Sequence, residues 1–146
     1  MAWYNDFGTD VAFRLGTVKT SVDNKKFIFL TGVASTVLGD WVTFDEAHLT
    51  TRAVANAIGR IGIAMSANVA SNYGWYQIYG SASGKALASF ADDGAVYLTA
   101  TAGSVDDADV GGDAVLNAWG RSAVSTTTSL ATFELNFPSV SNIAFD

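Results

Sequence analysis

The chain is punctuated throughout by turn-forming clusters, and between them lie only short runs rich in Val, Ile, Thr, Phe, Tyr and Trp. Asp23-Asn24, Leu38-Gly39-Asp40, Asp92-Asp93-Gly94 and residues 125–128 (Ser-Thr-Thr-Thr) are such clusters. Strand-length runs recurring every ~8–12 residues predict an all-β sandwich or small barrel.

The runs carry the side-chain period of strands. Residues 11–20 alternate, with Val11, Phe13 and Leu15 on one face and Arg14 and Gly16 on the other. Residues 26–34 read as a strong strand, and residues 41–44 as a short one. Residues 45–70 are ambiguous. Thr50 to Ile58 contains helix formers, yet Arg60 to Met65 alternates cleanly, which favours strand, turn, strand. Further strands are expected over residues 75–79, 85–90, 95–101, 114–124 and 129–137, with Gly80 to Gly84 as a flexible hairpin loop and Pro138 ending the last strand. The expected organisation is an N-terminal arm over 1–10, one β-domain over 11–138 and a tail over 139–146. No linker or internal repeat interrupts it.

Composition narrows the function classes. Apolar residues make up 49% of the 146 and charged residues 15%, enough for a real core and too few charges for a disordered chain. The net charge of −6 opposes binding to phosphate backbones, so nucleic acid is not an expected partner. Cysteine is absent, so no disulfide contributes. The first residues lack the basic-then-apolar pattern of a signal peptide, and no apolar run approaches the ~20 residues of a membrane span. A soluble compartment and no membrane partner are expected.

Candidate chemistry is sparse. His48, the single histidine, follows Asp45-Glu46 and reads as a turn residue rather than a base or ligand. Gly80-Ser81-Ala82-Ser83-Gly84 puts Ala where a nucleophile elbow needs Ser. The run from Asp106 to Asp113 has the oxygen-rich look of a calcium loop, but its spacing departs from an EF-hand, and a solvated acidic loop is expected. Asp92 and Asp93 are explained by turn geometry. No catalytic residue, metal site or cofactor is expected.

What remains is aromatic. Trp3, Tyr4 and Phe7 stand in the arm, and they either dock on a neighbouring molecule or pack on their own domain. Trp75 and Tyr79 share one strand face with Gln77, while Tyr76 and Ile78 share the other. Either both faces are buried, as in a barrel and as favoured for Tyr76 and Ile78, or one face lies in the core and the other is covered by a partner. The candidate contact residues are Trp3, Tyr4, Phe7, Trp41, Trp75 and Tyr79.

The order of landmarks over residues 26–138 resembles small capsid decoration (cement) proteins of tailed phages, including short-tailed cyanophages. The segments that carry the resemblance are Gly39-Asp40-Trp41-Val42-Thr43-Phe44-Asp45-Glu46, Gly74-Trp75-Tyr76-Gln77-Ile78-Tyr79-Gly80, residues 87–103 with Val105-Asp106-Asp107 after them, Ala118-Trp119-Gly120-Arg121, and Phe133-Glu134-Leu135-Asn136-Phe137-Pro138. Residues 1–25 lie outside it. The resemblance implies a compact, non-enzymatic β-protein on the outer surface of the phage head, a dimer or trimer that clamps neighbouring major capsid protein subunits. A tail or head-fibre attachment domain, or a carbohydrate-binding β-sandwich, is the alternative. A small β-fold hydrolase using carboxylates alone is a third class.

Overall fold

The structure, a computed structural model, describes residues 3–143. Among the described residues eleven strands follow one another: β1 (Phe7–Gly8), β2 (Val18–Thr20), β3 (Lys26–Thr31), β4 (Trp41–Phe44), β5 (Thr50–Arg52), β6 (Gly59–Ala64), β7 (Tyr73–Lys85), β8 (Ala95–Leu98), β9 (Val105–Asp106), β10 (Ala114–Gly120) and β11 (Leu130–Val140). A 3-10 turn, Trp3–Asn5, precedes them. The all-β expectation holds, and the stretch from 45 to 70 is strand, turn, strand.

β7 is the hub. Along its first half it pairs with β3, from Thr31↔Tyr73 to Lys26↔Tyr79. On its other edge it meets β6 at Ile63↔Gln77 and then β11 from Asn136↔Tyr79 to Leu130↔Lys85. The strand path runs β2-β3-β7-β6-β11-β10-β8-β9, with β4 and β5 continuing from β6. All ladders between named strands are antiparallel. The path does not close into a barrel, although an isolated parallel bridge joins Ala86 to Val105. Of the two architectures expected, the sandwich-like one is present.

The burial pattern explains the layering. Strands β3 and β4 and the first half of β7 are apolar on both faces, so both faces must be covered. One face places Ile28, Leu30, Val42, Phe44, Tyr76 and Ile78 in a common cluster. The other face of β3 and β7 carries Phe27, Phe29 and Trp75, covered by Trp3, Tyr4 and Leu15 from the N-terminal segment. The largest cluster fills the other half of the fold around Trp41, Ile61, Ile63, Phe90, Phe133 and Leu135.

Several local expectations are corrected. Residues 80–84 are not a hairpin loop but the interior of β7. Gly80 takes φ +96, a kink that glycine permits. Gln77, 1% exposed, serves the kink by donating from Nε2 to the carbonyls of Tyr79 (3.1 Å) and Ser81 (2.9 Å). Gly84 is small because Trp41 lies on it: an added Cβ would stand 2.8 Å from the indole nitrogen. Residues 87–90 form a turn rather than a strand. Strand 11–20 shrinks to β2: residues 11–17 form no strand, and from them Phe13 and Leu15 pack on the aromatic face. Pro138 does not end β11. It sits inside it, beside a register shift against β10 and a left-handed Phe137 (φ +53), the irregular setting in which a strand tolerates proline. Residues 139 and 140 therefore belong to the sheet. Met1, Ala2 and residues 144–146, parts of the expected arm and tail, lie outside the described residues.

Candidate functional site

An outward-facing sheet surface forms where β7 leaves its kink and runs beside β11 and β10. Register places Ser81, Glu134 and Trp119 in one row across the three strands, with Tyr79 and Asn136 in the next. Inward neighbours Ala82, Leu135 and Ala118 are buried, so strand alternation turns Ser81, Glu134 and Trp119 outward. Trp119 is 43% exposed and Phe137 51%. Phe137 reaches the ring of Tyr79 at a centroid distance of 5.6 Å. Trp119 and Tyr79 wall a shallow concavity of about 580 Å³. Phe137 also closes a small apolar groove of about 140 Å³ with Val18, Ile28, Phe44 and Ile78.

Charges frame this strip. Arg121 pairs with Glu134 (Nε to Oε2, 3.1 Å) and with Asp93 (3.3 Å), and the Lys26 ammonium lies 5.9 Å from the Tyr79 ring centroid. These are exposed pairs of small energetic weight, suited to the rim of a contact surface. Exposed aromatic rings thus alternate with polar and charged side chains, Glu134 and Asn136 lying on the strand between Tyr79 and Trp119.

The residues expected from sequence distribute differently. Trp41 is fully buried, its ring edge-on to Phe133 at 4.8 Å and its Nε1–H donating to the carbonyl of Lys85; it is a core residue, not a contact residue. Trp75, 2% exposed, is likewise internal. The causes differ: the N-terminal residues Trp3 and Phe13 cover Trp75, whereas Trp41 lies in the main core against Phe133 of β11 and Gly84 of β7. Trp3 packs edge-on against Trp75 at 4.9 Å and Tyr4 stacks on Phe27 at 4.4 Å, so these two arm residues bind their own domain. Phe7, 48% exposed, and the half-buried Tyr79 stay at the surface. Trp119 and Phe137 are exposed aromatics that the sequence reading does not single out. The local signal was present in Ala118-Trp119-Gly120, where two small residues flank a large one and only the small ones fit inside.

Several of the titratable groups singled out in the sequence have structural partners. His48 occupies a left-handed turn position (φ +64) with its ring over Gly16. Asp45 Oδ1 accepts the backbone N–H groups of Ala47 and Leu49, forming that turn. In the acidic loop, Asp106 accepts from the Ser89 hydroxyl and Asp107 from the Ala91 N–H. Asp113 departs from the expected solvated loop. It is 2% exposed and accepts the Asn56 N–H at 2.7 Å, tying the β5–β6 turn to β10. Among the described residues, no three His, Cys, Asp or Glu side chains converge as a metal site would require. Among the same residues no helix is long and apolar enough to cross a membrane.

Comparison with family models, with curated proteins and with solved structures finds no match to this chain.

Proposed function

We propose that this protein is a non-enzymatic capsid decoration protein, which binds the outer surface of a tailed-phage head and cements neighbouring major capsid protein subunits as a small homo-oligomer. The observation that carries the reading is the exposed aromatic set Tyr79, Trp119 and Phe137 on one sheet surface, interspersed with Glu134 and Asn136 and flanked by Arg121 and Lys26. Aromatic anchors on a preorganised strand surface lose little entropy on binding, and a few such residues carry most of the energy of an interface. A binder that bridges several subunits gains further from multivalency and adds its binding free energy to the assembled shell. The resemblance over residues 26–138 supplies the identity of the partner.

The test is co-sedimentation of the purified chain with expanded heads assembled from the major capsid protein of the same phage. Saturable binding is expected, and Trp119→Ser with Phe137→Ser should weaken it by about 30-fold or more, the effect of losing a hot spot worth ~2 kcal/mol. Absence of binding by the unaltered chain, or full occupancy by the double variant, would overturn the assignment of this surface.

A further inference from the structure

A second concavity, made of different residues, lies where the N-terminal segment crosses β3 and β7. It has a volume of about 440 Å³, within the ~300–1,000 Å³ typical of small-ligand sites. Its floor is Trp75, with Trp3 beside it. The Lys19 ammonium stands 4.5 Å from the Trp3 ring centroid, 4.9 Å from that of Phe13 and 5.7 Å from that of Trp75. Phe7 and Phe13, 48% and 38% exposed, offer aromatic surface to solvent. Asp6, Thr9 and Asp10, all exposed, complete the lining.

The chemistry of this lining selects among ligand classes. A cation must compete with Lys19, which already occupies the aromatic cage. An anion meets the carboxylates of Asp6 and Asp10. A wholly apolar ligand makes no use of the carboxylates, the Thr9 hydroxyl or the ammonium, which stay solvated at the edge of the groove. A pyranose ring satisfies all of them: its C–H face lies on an aromatic ring, and its equatorial hydroxyls donate to carboxylates and accept from an ammonium. We infer that this groove is a binding site for neutral oligosaccharide, with Phe7 and Phe13 as stacking platforms and Asp6, Asp10 and Lys19 as hydroxyl partners. The site is separate from the proposed head-binding strip and does not depend on it.

The test is titration of the full chain with three neutral trisaccharides (maltotriose, cellotriose and chitotriose), with sialyllactose and choline chloride as the acidic and cationic comparisons, read by saturation-transfer NMR and calorimetry. Binding of at least one neutral trisaccharide is expected. Phe13→Ala should weaken it about tenfold, the value of one aromatic contact, and Ile58→Ser, at an exposed site outside the groove, should leave it unchanged. Asp10→Asn, a substitution at an exposed carboxylate, provides a second variant should Phe13→Ala disturb the fold. Failure of all three neutral probes to bind at millimolar concentration overturns the inference. So does preferential binding of choline or sialyllactose, or binding that neither groove variant weakens.

Discussion

Replacing Asp40 with Ala is expected to cost about 3 kcal/mol. The Asp40 side chain is completely buried at the start of β4. Its carboxylate accepts from Arg52 Nε at 2.8 Å and Nη2 at 3.4 Å and from the Val37 N–H at 3.0 Å, and Lys85 Nζ stands 3.6 Å away. Arg52 in turn donates to the carbonyl of Ala102 at 3.1 Å, so one anion gathers β4, β5, the end of β7 and the loop before β9. Gly103 lies so close that a Cβ there would be 2.5 Å from Asp40 Oδ1. Removing one partner of a buried ion pair costs about 3–5 kcal/mol, because the remaining charge loses its counterion. The two cationic side chains retain 24% and 26% exposure, so both can partly rehydrate, and the lower end of that range applies. For 146 residues the unfolding entropy near Tm is about 0.3 kcal/mol per degree, which converts the loss to a Tm decrease of ~10 °C. Differential scanning calorimetry measures it directly. Coupling is checked by the double variant Asp40→Ala with Arg52→Ala, whose destabilisation should fall short of the sum of the single effects by more than about 1 kcal/mol. A Tm decrease under ~3 °C, or strict additivity, would refute the view that this triad staples the fold.

Two further outcomes follow from buried polar groups. Gln77→Leu should cost about 1–3 kcal/mol in urea unfolding, because the carbonyls of Tyr79 and Ser81 at the Gly80 kink lose their donor; an unchanged midpoint would mean that water replaces it freely. Tyr76 is held by Asn68 Nδ2 and donates to the carbonyl of Thr31, both at 3.1 Å, and burial pushes its pKa up from 10.0 to about 12. Between those values the unfolded chain has released the proton while the folded chain retains it, so the stabilisation is complete below pH ~10 and lost as pH rises towards 12. Tyr76→Phe should therefore be the less stable protein at pH 8, and its deficit relative to the unaltered chain should shrink by about 1.4 kcal/mol by pH 11. A deficit independent of pH would contradict the linkage.

Local order was legible in the residues themselves. Alternation over residues 60–65 marked β6 against the helix formers before it, and Asp92-Asp93-Gly94 announced its turn, with Asp93 left-handed at φ +58. The contact surface was much less legible. Trp41 and Trp119 occur in equally plausible strands, yet one is fully buried and the other 43% exposed. The N-terminal aromatics gave no sign of whether they served a partner or their own β3.

The division has a physical cause. Strand propensity, turn chemistry and the two-residue period act between near neighbours, and they are written into the chain wherever it folds. Sidedness is different, because a strand face becomes core only when a distant segment covers it. Trp3 and Tyr4 cover Phe27 and Trp75, Trp41 settles on Gly84, and Gln77 serves a kink at Gly80 that reads locally as a loop. The aromatic coverings and the Trp41–Gly84 contact join distant parts of the chain and exist only once β7 has gathered β3, β6 and β11 around it, which leaves Tyr79, Trp119 and Phe137 facing outward.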